Sequence, residues 1–138
     1  MSRILGLDLG EKRIGMAVSD ELGLTAQGLE TLHRKEKITD IETLNKIIQN
    51  YSVQKIVVGL PRNMDGTYGK QAESTKEFAG LLKENRGVEI VFWDERMTSI
   101  SANKVLIEAN ISRKKRKGTT DRLAAVIILQ GYLDSLRH

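Results

Sequence analysis

The chain has 138 residues, no cysteine, two histidines (His33 and His138) and a formal net charge of +4. That length suits one domain, 1–138, burying roughly two-thirds of the surface its unfolded form exposes, while the missing thiols and distant histidines exclude disulfides, thiolate metal sites, a histidine-based zinc centre and a Ser-His-Asp triad. With no signal-like leader and no apolar run long enough to span a bilayer, a soluble, cytoplasmic protein without a membrane partner is expected, any metal should be held by oxygen, and the positive balance favours polyanionic partners.

Ile4-Leu5-Gly6-Leu7-Asp8-Leu9-Gly10 and Arg13-Ile14-Gly15-Met16-Ala17-Val18 are two apolar strands joined by Glu11 and Lys12. Leu24 to His33 supplies a third strand, with Gly28 as a bulge. Ile38, Ile41, Leu44, Ile47, Ile48 and Tyr51 recur at helical spacing and mark the first helix. Lys55 to Leu60 is a short apolar strand ended by Gly59 and Pro61, as expected where both faces are buried. A loop spans Pro61 to Thr67. From Tyr68 to Asn85, Ala72, Thr75, Phe78, Ala79, Leu81 and Leu82 form one apolar helical stripe, closed by Arg86-Gly87.

Val88 to Trp93 is the next strand, and Thr98 to Ala109 a further helix. The five cations Arg113, Lys114, Lys115, Arg116 and Lys117, followed by Gly118, are expected in a solvated loop before a last helix, Asp121 to Leu136, whose apolar face is Leu123, Ala124, Ile127, Ile128 and Leu133. The order is three strands, helix, strand, helix, strand, helix, helix. It predicts an α/β fold: an antiparallel three-strand meander continued by right-handed crossovers into a mixed sheet.

In such sheets sites form outside the carboxyl ends of the parallel strands. Acids from three loops converge on that end: Asp8 inside an apolar strand, Asp94 and Glu95 directly after the strand to Trp93, and Asp121 opening the last helix. Each alone has a structural reading: Asp8 in a turn, Glu95 paired with Arg96, Asp121 complementing a helix dipole. Together they suit one or two Mg2+ or Mn2+ ions that clamp phosphoryl oxygens, the chemistry of phosphodiester hydrolysis. Asp94 stands as an outer partner or as the ligand in place of Glu95, because sequence does not fix the strand register. Arg62 and Asn63 in the 61–67 loop, Lys12 and Arg13 at the hairpin tip, and residues 113 to 117 are candidates for binding phosphates or bases.

Four motifs in this order resemble the YqgF family, also called RuvX, over essentially the whole chain: Gly6-Leu7-Asp8-Leu9-Gly10 with Lys12-Arg13-Ile14-Gly15; Val58-Gly59-Leu60-Pro61 with Met64-Asp65-Gly66-Thr67; Asp94-Glu95-Arg96-Met97-Thr98; and Asp121 with Ala124-Ala125 and Ile128-Leu129-Gln130. The resemblance implies a ribonuclease H-like fold with helices on both faces of the sheet. It also implies a nuclease maturing the 5′ end of pre-16S ribosomal RNA, with a Holliday junction resolvase as the older proposal. By the same resemblance the acidic set is Asp8, Glu95 and Asp121. Met16 replaces the family's valine in the opening motif, a change a core tolerates.

Three functions remain open at this level. A metal-dependent endonuclease would use the acids on structured RNA, gripped by the basic segment and by Arg96 and its neighbours. A resolvase would apply the same site to four-way DNA and calls for a two-fold dimer rather than a monomer. A non-catalytic RNA-binding assembly factor would bind tightly, with steep salt dependence, and cut nothing. An ATPase is disfavoured, since actin-like enzymes close two such domains around the nucleotide and no Walker-type loop occurs.

Overall fold

Alternation along the first strand sorts the packing into two layers. The computed structural model describes residues 3–60, 69–94 and 113–136, with the backbone alone at 85, 86 and 113–121. In β1 (Arg3–Leu9) and β2 (Arg13–Ser19), Leu5, Leu7, Leu9, Ile14 and Met16 join one buried cluster, whereas Ala17 joins a second. Successive residues of a strand face opposite sides of the sheet, so Gly6 and Asp8 share the side of their neighbour Ala17.

With β3 (Ala26–Gly28), β4 (Leu32–His33), β5 (Val53–Leu60) and β6 (Glu89–Asp94), the sheet has the order β3-β2-β1-β5-β6, with β4 also paired to β2. β1 and β2 are antiparallel, while β1, β5 and β6 run parallel. β5 is central and buried along most of its length, which is why its sequence is a nearly unbroken apolar run. The predicted mixed sheet is therefore present.

Helices cover both faces. On one side α1 (Lys37–Asn50) and α2 (Lys70–Arg86) contribute Ile41, Leu44, Ile48, Phe78, Ala79 and Leu82 to the cluster containing Leu5, Leu7, Ile56 and Val58. Each such aliphatic side chain, fully withdrawn from water, contributes about 1.5–3 kcal/mol. On the other side α3 (Arg113–Ser135) sets Ala125, Ile128, Leu129, Tyr132 and Leu133 against Ala17 and Val57. α2 stops where the sequence stops it: Gly87 adopts φ +64° and its N–H donates to Lys83 O at 2.8 Å.

Two expectations are corrected. The predicted third strand is two short ones, β3 (Ala26–Gly28) and β4 (Leu32–His33), both on β2. The register shifts by one residue between the Ala17–Gly28 and Ile14–Leu32 pairs, so the 29–31 stretch carries one residue more than β2 does opposite it, and the expected bulge follows Gly28. The basic segment 113–117 is not a loop but the first turns of α3, and Asp121 lies eight residues into that helix instead of opening it. Arginine and lysine are good helix formers, and the packing of Ala125 to Leu133 outweighs the cost of about 1 kcal/mol for Gly118. The 61–67 loop and the 98–109 helix lie outside the described residues.

Candidate active site at the carboxyl end of the parallel strands

Asp8 is the penultimate residue of β1 and is half-buried. It shares the α3 side with Gly6, where an added Cβ would sit 2.7 Å from Leu129 Cβ and 3.2 Å from the Ala125 carbonyl oxygen. Its cross-strand partner is Gly15. Extending the parallel register from the Leu7–Val58 pair by one residue brings Gly59 beside it on β5. Neither neighbour has a side chain, so the carboxylate stands in a gap between glycines. Among the described residues no hydrogen bond or ion pair compensates it. A carboxylate partly removed from water without a donor is costly, and a hard cation relieves that cost.

The path of α3 sets where Asp121 falls. Gly28, Ala17 and Gly6 form a row of small residues at one register level across three strands. α3 crosses this row closely, with Arg122 and Val126 over Gly28 and Ala125 and Leu129 over Gly6. Farther from the Asp8 end, Gln130 accepts from Ala26 N–H and donates to Leu24 O, both at 3.0 Å. Helix numbers therefore fall toward the carboxyl end of β1. One turn before Ala125 is Asp121; a turn advances about 5.4 Å, close to the roughly 6.6 Å separating Gly6 from Asp8 along the strand. The backbone at Asp121 thus reaches the level of the Asp8–Gly15 pair.

Asp94 ends β6, beside Leu60. Val91 and Trp93 pack with the α3 cluster and Ile90 with the α1 and α2 cluster. Alternation places Asp94 with Ile90, on the side of the sheet away from Asp8. Glu95, Arg96, Arg62 and Asn63 lie outside the described residues. Among the described side chains no three potential ligands form a metal-holding group. Of the cations, Lys12 is exposed on the β1–β2 turn and Arg13 is half-buried at the start of β2. Residues 113–117 occupy about the first turn and a half of α3, which begins about 12 Å of helix before Asp121.

A brace behind Asp8 has no counterpart in the sequence reading. Gln71 Nε2 donates to Leu9 O at 3.0 Å, and Arg34 Nη1 donates to Gly10 O at 2.8 Å. Arg34 Nε lies 3.6 Å from Asp40 Oδ2, and its guanidinium sits 5.1 Å above the Phe78 ring. The Lys35 N–H donates to Asp40 Oδ1 at 3.0 Å. α1 and α2 therefore clamp the chain just beyond Asp8. The flanking glycines carried a readable signal, since glycine inside a strand marks close approach; Arg34, Asp40 and Gln71 carried none.

Comparison with known proteins bears on this arrangement. A family model described as RuvX, Holliday junction resolvase, matches residues 2–135. The chain is 53% identical over 134 residues to a Clostridium botulinum protein named "Putative pre-16S rRNA nuclease", covering 97% of this chain and 98% of that one. A protein of the same name from Halothermothrix orenii is 51% identical over 132 residues, covering 96% and 94%. Among solved structures, T. thermophilus RuvC in complex with a Holliday junction substrate superposes with a TM-score of 0.66 at 12% identity, covering 99% of this chain and 96% of that chain. The Fowlpox virus resolvase with its junction DNA gives 0.59 at 15% identity, covering 99% of each chain. The mixed sheet with helices on both faces is thus the ribonuclease H-like fold.

Proposed function

The chain belongs to the RuvX family, and from that premise we propose that it is a metal-dependent endonuclease that hydrolyses phosphodiester bonds in the 5′-end maturation of pre-16S rRNA. The observation that carries the reading is Asp8: a half-buried carboxylate between two glycines, without a described donor, at the strand end that the Asp121 turn of α3 overlies. Asp8, Asp121 and Glu95 are the residues that would hold Mg2+ or Mn2+, one ion or two. When bound, such an ion neutralises charge at phosphoryl oxygens and makes a water nucleophilic near neutral pH. The chain's own part is to fix the spacing of its carboxylates through the Leu9 and Gly10 brace and the close α3–β1 contact, and to hold the phosphate backbone with Lys12, Arg13 and the basic turns of α3.

Among the described residues no helix is long and apolar enough to cross a membrane, and the proposed setting is the cytoplasm, with the whole chain acting as one nuclease domain. The test is a cleavage time course on a pre-16S 5′ leader fragment beside a four-way DNA junction, in Mg2+, Mn2+ and EDTA, for wild type and Asp8→Asn. Metal-dependent RNA cuts by wild type alone are expected. Symmetric junction cuts by a dimer would instead make it a resolvase, the activity named in the family model's description, and salt-sensitive binding without cuts would make it an assembly factor. A readout independent of turnover accompanies it: a ligand that binds only the native state raises the melting temperature, so Mg2+ should stabilise wild type and leave Asp8→Asn unmoved.

A further inference from the structure

On the other side of the sheet from Asp8, but at the same end, the β1–β2 turn and the chain leading into α1 and α2 form an open cleft of about 600 Å3 lined by Glu11, Lys12, His33, Arg34, Lys35, Gln71 and Ser74. We infer that this cleft is a phosphate subsite that holds the nucleic-acid backbone a short distance from the cut, an inference that rests on the nuclease reading above.

The lining decides the ligand class. Every residue in it is polar or charged, which disfavours an apolar ligand or a docked amphipathic helix. Among the described residues no Phe, Tyr or Trp lines it and His33 supplies its one imidazole, a small stacking surface beside three cations, so contact falls chiefly to the phosphates. Its three formal cations face one acid, Glu11. Arg34 is already committed to Gly10 and Asp40 and shapes the wall as a positioning residue. Lys12 and Lys35 are exposed, and among the described residues their ammonium groups have no hydrogen-bond or ion-pair partner. Among the described residues neither α1, beginning at Glu36, nor α2, beginning at Gly69, has a side-chain cap, so the N-terminal dipole ends of both helices add to the positive field. Lys12 is four residues from Asp8, at most about 13 Å along the chain. A strand bound at Asp8 therefore reaches the cleft by turning around the hairpin tip.

The test compares Lys12→Ala/Lys35→Ala with a control of equal charge, Lys46→Ala/Lys83→Ala, which removes exposed lysines elsewhere on the same two helices. Binding of a fluorescent single-stranded RNA of about 20 nucleotides is followed by anisotropy in EDTA, between 50 and 200 mM salt. Each lost phosphate contact lowers the log–log salt slope by about 0.7 on single strands, so the cleft variant should lose about 1.4, a roughly sevenfold smaller change in affinity over that range. The control should keep the wild-type slope. An unchanged slope in the cleft variant, or an equal fall in the control, overturns the subsite. Saturable binding of inorganic phosphate that the cleft variant loses while its RNA slope stays intact also overturns it, leaving a small-anion site. Because the assay contains no metal, its outcome is separate from cleavage: a flattened slope together with a wild type inert on RNA in Mg2+ would keep the cleft and refute the nuclease.

Discussion

Gly6→Ala tests whether the close approach of α3 to β1 is what organises the site. An added Cβ meets Leu129 Cβ at 2.7 Å and the Ala125 carbonyl oxygen at 3.2 Å. Neither contact yields by a rotamer change, because one atom is a Cβ and the other is backbone. The helix must lift by about 1 Å to restore van der Waals separation. Overpacking of this kind costs about 1–3 kcal/mol. Against it, alanine restricts the unfolded chain and contributes about 0.4–1 kcal/mol in the opposite direction. The expected net loss is about 1.3 kcal/mol, within a span of about 0 to 2.6 kcal/mol.

Gly80 is the matched control: it is exposed in α2, and an added Cβ there meets nothing within 4 Å. Gly80→Ala should stabilise by about 0.5–1 kcal/mol. Urea denaturation of both variants reads the two signs from one chemical change. In Gly6→Ala the displaced α3 also carries Asp121 away from the Asp8 level, so its Mg2+-induced thermal shift should shrink although neither acid is altered. If Gly6→Ala is stabilised as Gly80→Ala is, or keeps the full Mg2+ shift, the close approach of α3 does not set the Asp8–Asp121 level.

Asp40→Ala should cost about 3 kcal/mol by denaturant titration, the low end for breaking a buried pair because Arg34 keeps part of its surface in water; Asp40→Asn should cost less, since the amide oxygen still accepts from the Lys35 N–H. Asp20 is held below its ordinary pKa of 3.8 chiefly by the Thr25 N–H, with those of Leu24 and Gly23 adding to it. A depressed acid stabilises the fold above its unfolded pKa and loses that contribution as pH falls through the folded one. The 20–25 turn should therefore stay ordered at pH 4 and loosen only below 3.8, as followed by the amide resonances of Leu24 and Thr25, and Asp20→Asn should abolish the transition. Replacing the five basic residues 113–117 by glutamine should weaken duplex binding, with a salt slope lower by up to about 4.5, yet raise the melting temperature, because cations in the first turn of a helix oppose its dipole.

The parts of the fold written in periodicity were legible. The two-residue alternation of β1 and β2, the buried run of β5 and the helical stripes of α1 and α2 each use a pattern that the core enforces. The start of α3 was not legible, because Gly118 and five cations are locally what a loop contains, and the packing that sustains the helix lies a turn or more later, at Ala125, Leu129 and Leu133. The break between β3 and β4 was hidden because it comes from one extra residue in 29–31 opposite β2, a matter of pairing register that the apolar pattern of one strand does not reveal. At the site, Asp8 stood out because an acid in an apolar strand needs a reason. Arg34, Asp40 and Gln71 did not, since nothing in their spacing says that they grip the carbonyls of Leu9 and Gly10.

Local rules fail together at one end of the molecule. A carboxylate occupies a core strand, glycine replaces the strand-forming residues on both sides of it, and cations load the positive end of a helix where acids would stabilise it. Each choice costs stability, and no described contact returns that cost within the chain. All three would become favourable under the proposed function, with a divalent cation at Asp8 offsetting the acid, the glycines leaving it room, and phosphates offsetting the basic turns. Conflicts of this kind, confined to one place in an otherwise consistent sequence, are the signature of a site selected for binding rather than folding. Removing the cost should then also remove the function, so variants stabilised at Asp8 or at residues 113–117 should be poorer binders in every case.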